Sequence, residues 1–138
     1  MDARTAAHAW VEAWARGWPA RDLDAVADLY AAEAVFYSHP FRDLRAPRDY
    51  VAWAFADQTR AECRFGEPIV EGDRAAVDWW AVITSTDGSV ETIAGTSLLR
   101  FGDDGLVVEQ RDAWASVPGR RDLSDWAHSL RIPTIPSS

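Results

Sequence analysis

The chain has 138 residues, 48% of them hydrophobic and 26% charged, with a formal net charge of −8. That is enough for one domain with its own core, and the acidity argues against nucleic acid or an anionic membrane as partner. No apolar run is long enough to span a bilayer, and "MDARTAAHAW" lacks the basic end and apolar stretch of an export signal, so a cytoplasmic location is expected.

From Thr5 to Arg16, Ala7, Trp10 and Trp14 recur at helical spacing, and Gly17 reads as a stop. Asp22 is a good N-cap for a second helix, whose Leu23, Val26, Ala27 and Tyr30 mark one buried face. "AVFYSHPF", Ala34 to Phe41, reads as a short strand ending in a histidine set against a proline. Pro47 then opens a third helix with Val51, Ala54 and Phe55 as its apolar stripe.

Period two follows. Ala61, Cys63 and Phe65 alternate with charged residues, and "EGDR", "TDGS" and "GDDG" punctuate a meander of antiparallel strands. In Ala75–Thr84 the odd positions are apolar, so they face inward and Trp80 lies outward with Asp78. Ile93, Gly95, Ser97, Leu99 and Phe101 form the inward set of the next strand. Leu106, Val108, Gln110, Asp112 and Trp114 share one face of the last, with Glu109 and Arg111 opposite. Ser97, Gln110 and Asp112 thus fall in an apolar interior and need partners or water. Residues 1–116 read as the domain and 117–138 as a C-terminal tail, where "DLSDWAHSL" suggests a short helix.

Helices wrapped by a strongly bent sheet, together with "ARDLDAVADLYAAEAVFYSHP" and "GTSLLRFGDDGLVVEQRDAW", resemble the NTF2-like superfamily and its SnoaL-like group. The resemblance implies an α+β cone-shaped barrel, with three N-terminal helices in a curved, mostly antiparallel sheet. It also implies a pocket at the positions where ketosteroid isomerases keep their chemistry. Where those enzymes have an aspartate base before a proline, this chain has His39 before Pro40. Where they have an oxyanion-hole tyrosine on the first helix, it has Trp10. Where they have a protonated aspartate, it has Ser97. All three groups differ, so the pocket carries over and steroid isomerisation does not.

His39 is a candidate base, because an unperturbed imidazole titrates near neutrality. Asp112 is its candidate partner. Trp10, Trp14, Tyr37, Trp79, Ser97, Leu99, Gln110 and Trp114 are expected to line a pocket for a small hydrophobic molecule. The sequence has no lysine for a Schiff base or P-loop. Its three scattered histidines lack ligand spacing, so neither metal nor cofactor is expected. Cys63 is the single cysteine and forms no internal disulfide.

Three functions remain open at this level. One is a cofactor-independent enzyme of the cyclase or isomerase kind, moving a proton in isomerisation, cyclisation or dehydration. Another is a non-catalytic ligand-binding or dimerisation module. The third is water addition as in epoxide hydrolases, which use an inward Asp–Arg–Asp set; here Arg100 and Arg111 carry outward parity. Trp80, Val82 and Leu98 on the outer face, among Asp78, Thr96 and Arg100, suggest a homodimer surface.

Overall fold

The computed structural model describes residues 1–122 and Leu130. Helix α1 spans Ala3–Ala20, α2 Leu23–Ala27 and α3 Pro47–Ala56. The strands are β1 Tyr30–Tyr37, β2 Gln58–Phe65, β3 Ile69–Glu71, β4 Arg74–Ser85, β5 Val90–Phe101 and β6 Val107–Pro118. They form one curved, unclosed six-stranded sheet ordered β1-β6-β5-β4-β2, with β3 also on β4. All pairings are antiparallel except β1–β6, which returns the first strand beside the last. This is the mixed α+β cone that the resemblance implies. The reading "DLSDWAHSL" as a helix lies almost wholly outside the described residues.

Helix α1 is longer than the Thr5–Arg16 pattern. Asp2 caps it, its carboxylate accepting from the Thr5 amide at 2.8 Å. Gly17 does not stop it. A Cβ there would come within 2.7 Å of Val26 Cγ2, so the glycine lets α2 pack closely against α1. The helix ends four residues later at Arg21, which takes the left-handed conformation at φ 53°. The extension matters, because Trp10, Trp14 and Trp18 then lie one turn apart on one face.

The core sits between that face and the inward side of the sheet, where Val77, Ala81, Trp79, Ile93 and Leu99 are buried. The parity expected for β4 and β5 holds. In β6 it holds only from Gln110 onward. A bulge pairs Arg100 with Glu109 but Phe101 with Val107, which leaves Val108 as an extra residue. Val107 is therefore buried in place of the expected Leu106 and Val108.

The outer face differs from the expected open patch. Trp80 and Val82 are 2% and 8% exposed and cluster with Leu130 from the chain's own C-terminal region. The Trp80 ring lies between the Arg64 and Arg120 guanidiniums at 5.2 and 5.4 Å, and its Nε1 donates to the Arg121 carbonyl at 3.0 Å. Of the three apolar residues read as a dimer surface, Leu98 is the one left exposed.

Candidate active site

A cavity of about 90 Å³ opens between α1, α3 and the inner face of the sheet. Trp10, Trp14 and Trp18 wall it from α1, Tyr50, Ala54 and Phe55 from α3, and Gln58 and Phe65 from β2. Trp79, Ile83, Ile93, Ser97, Gln110, Asp112 and Trp114 close it from β4, β5 and β6. That is several times the roughly 10–15 Å³ needed to admit a single water, so the cavity can take a small molecule.

The polar groups in this apolar wall form a single directional network. Trp79 Nε1 donates to Ser97 Oγ at 2.9 Å, so the Ser97 hydroxyl proton is free to go to Asp112 Oδ1, 2.6 Å away. From the other side Gln110 Nε2 donates to the same Oδ1 at 3.0 Å. The Gln110 amide cannot turn over, because its Oε1 accepts from Tyr30 Oη and from Trp10 Nε1 at 3.1 Å. Tyr30 in turn accepts from Trp14 Nε1 at 3.1 Å. Every proton in the chain of bonds points towards Asp112 Oδ1. Oδ2 takes no hydrogen bond among the described residues and faces the cavity. When Asp112 is protonated, its proton belongs on Oδ2.

Burial raises the Asp112 carboxyl from its ordinary range to about 7, and the Ser97 and Gln110 hydrogen bonds pull the other way without cancelling it. No described cation pairs with it. The carboxyl thus exchanges a proton close to neutral pH. Tyr30 and Tyr50 are held as neutral phenols, raised chiefly by burial and further by the Asp112 charge.

Of the residues singled out from the sequence, Trp10, Trp14, Trp79, Ser97, Gln110, Asp112 and Trp114 meet around this cavity. Leu99 is buried in the core, opposite Ala75 and Gln110 in register, and is not on the cavity wall. Tyr37 and His39 also lie off it. Ala34, Phe36 and Ser38 are buried, whereas Tyr37 at the end of β1 and His39 beyond it are half-buried. His39 Nδ1 accepts from the Phe41 amide at 3.2 Å, and its ring packs steeply against Trp114, with centroids 4.8 Å apart at 71°. No hydrogen bond joins His39 to Asp112; Asp112 has Ser97 and Gln110 instead.

Tyr30, Trp18, Tyr50 and Gln58 escaped sequence reading as site residues. Trp18 was legible as the next member of the Trp10, Trp14 series had the helix been carried past Gly17. Gln58 is 2% exposed and clamps the Trp18 end of α1, accepting from Trp18 Nε1 at 2.9 Å and donating to its carbonyl at 2.8 Å. Among the described residues, no group of three or more histidine, cysteine or acidic side chains converges as a metal site would require. No described helix is long and apolar enough to cross a membrane.

Residues 7–110 match the family model of the SnoaL-like domain. The chain belongs to the SnoaL-like family. A search of curated protein sequences finds no match. Among solved structures the chain is similar to an epoxide hydrolase/cyclase-like enzyme, SalBIII, of pyran ring formation in the polyether salinomycin. That pair is 14% identical with a TM-score of 0.67, covering 93% of each chain. It is also similar to a hexachlorocyclohexane dehydrochlorinase, LinA type 2, at 13% identity and TM-score 0.67, covering 85% of this chain and 88% of that one. A protein of ketosteroid isomerase-like fold from Catenulispora acidiphila, solved with trimethylamine, matches at 16% identity and TM-score 0.65, over 75% and 82% of the two chains. At these identities the likeness is one of fold, and function rests on the site.

Proposed function

We propose that this SnoaL-like protein is a cofactor-independent enzyme that moves a proton on a small, largely apolar molecule held in the cavity, with Asp112 as its acid–base group. The observation that carries the reading is Asp112 itself: a carboxyl titrating at about 7, with Oδ1 fixed by two donors and Oδ2 open to an apolar cavity. A general acid–base works best when its pKa is near the working pH. The ionised form takes a proton from a carbon or hydroxyl of the substrate on Oδ2. The protonated form returns it to a second position, which is an isomerisation, or to a leaving group, which is a dehydration or elimination. Ring closure follows where the carbanion or alkoxide meets an electrophile in the same molecule.

Trp10, Trp14 and Trp79 spend their indole hydrogens inside the network, so they hold it in place and touch substrate through their apolar faces, while Gln110 gives one amide hydrogen to Asp112. His39 takes no reacting role in this scheme; it braces Trp114, whose Nε1 donates to the Ser38 carbonyl at 2.6 Å.

The test is proton exchange. A panel of one-ring ketones and lactones in deuterated buffer should include compounds that exchange the proton next to the carbonyl, with a rate that rises through about pH 7 and falls by roughly 10²–10⁴-fold in Asp112→Asn. A full rate in Asp112→Asn would remove Asp112 from the mechanism.

A reducing, cytoplasmic setting suits the single buried thiol of Cys63, which burial pushes up to about 12 and so keeps unreactive. A homodimer belongs to the same proposal. Its surface would be the uncovered part of the outer face around Ile69 and Leu98, 73% and 44% exposed, with Arg100, Glu109 and Arg111 as its rim. Sedimentation as a clean monomer at micromolar concentration would remove the dimer alone.

A further inference from the structure

A second, open pocket of about 460 Å³ adjoins the cavity. Ser38, Arg42, Asp43, Arg45, Tyr50 and Trp53 stand in its wall, and Tyr50 belongs to both spaces. Arg42 also reaches Trp114 on the cavity wall, its guanidinium 5.2 Å from that ring and 5.8 Å from Trp53. The Arg45 guanidinium lies 5.1 Å from the Trp53 ring.

These two arginines stand together on one pocket wall, each near an indole ring and without a described ion pair. Arg48, Arg74, Arg100 and Arg120 each reach a carboxylate within 4.0 Å. Among the described residues neither Arg42 nor Arg45 does, although Asp43 lies between them in sequence and on the same pocket wall. Arg42 donates instead to Ser38 Oγ at 3.2 Å, which orients its guanidinium beside the cavity. On a chain with a net charge of −8, two neighbouring cations on indole faces beside the cavity, neither with a described ion-pair partner, make a spot that can receive an anion. Guanidinium groups suit planar carboxylates through paired N–H donors.

We propose that this pocket binds the carboxylate of the substrate while the substrate's apolar ring passes Tyr50 into the cavity towards Asp112. The substrate class is then a one-ring aromatic or alicyclic carboxylic acid. This deepens the proton-transfer reading and rests on it for the direction in which the ligand lies. Asp43 sets a limit on affinity, because it repels the same anion.

Phenylacetate and phenylacetamide are matched probes that differ in charge. Titration calorimetry at about pH 6, where a free carboxylic acid is already ionised, should show phenylacetate binding about tenfold more tightly than the amide. Arg42→Gln/Arg45→Gln should remove that preference and leave amide binding within about twofold; Asp43→Asn should enlarge it. Equal affinity of the two probes for the unaltered protein, a preference that survives in the double variant, or no binding of either at millimolar concentration would each overturn the anion site. The preference should persist in Asp112→Asn. Failure of proton exchange there leaves the binding result standing, whereas loss of the preference with normal exchange overturns the anion site alone.

Discussion

The sheet carries the same small motif twice, once on each face. On the inner face Ser97 of β5 opposes Asp112 of β6 and donates to it at 2.6 Å. On the outer face Thr96, the neighbouring residue of β5, opposes Asp78 of β4 and donates to it at 2.8 Å. Both are cross-strand pairs of a hydroxyl and a carboxylate. The inner carboxyl lies against an apolar cavity, and burial raises it to about 7. The outer one is exposed to water. What separates a candidate catalyst from a surface contact is the medium around the pair: the carboxylate loses hydration on one face and keeps it on the other.

The most severe way to break the inner arrangement is Gly95→Ala. Gly95 pairs with Trp114, and a Cβ there would sit 2.1 Å from the Ala113 carbonyl oxygen and 2.6 Å from Trp114 Cβ. Backbone must move to relieve it, so the variant should lose more than about 3 kcal/mol in urea unfolding or fail to accumulate folded. A variant as stable as the parent would show that β5 and β6 do not approach so closely.

A second test uses pH. The native Asp112 carboxyl titrates at about 7, and an unfolded one near 3.8. Between those values the native state holds the proton and the unfolded state does not. Stability therefore falls as pH rises from about 4 to about 7, and the full cost is present above that. Asp112→Asn removes this titration. Relative to the parent it should gain up to a few kcal/mol at pH 8 and little at pH 4. Melting curves at the two values decide it; a parallel shift at both would mean the carboxyl is not desolvated.

His39→Ala tests the boundary between the faces. The ring packs steeply against Trp114 without joining the network. Its loss should cost about 1 kcal/mol of stability and leave proton exchange within about tenfold. Abolished exchange with a normal melting curve would return the imidazole to the centre of the mechanism. The smallest expected effect is that of Asp78→Asn, a shift of at most about 2 °C in melting temperature with exchange unchanged.

Much of this was readable along the chain because one face of each long strand is buried. In β4 every odd position from Ala75 to Ile83 is apolar and in β5 the odd positions are the apolar-rich set, so Ser97 was assigned inward and Asp78 outward correctly. Asp112 was found the same way, as a carboxylate on an otherwise apolar parity. β1 offered no such contrast. Val35, Phe36 and Tyr37 are all good strand residues, and nothing in their order says which of Ser38 and His39 points inward. The β6 bulge was equally hidden, since one extra residue is visible only against its partner strand.

Sequence alone determined the helices, the meander, the buried parity of most strands and the presence of a carboxyl in the interior, because these depend on neighbours a few residues apart. Tertiary structure decided what that carboxyl can do. Gln110 is aimed by Tyr30 and Trp10, 80 and 100 residues away in the chain. Trp80 is covered by Arg64, Arg120 and Leu130. Oδ2 is open because α1, α3 and the bent sheet leave a gap of about 90 Å³ beside it. Desolvation, proton direction and access are properties of everything within a few ångströms, and those atoms come from every part of the chain.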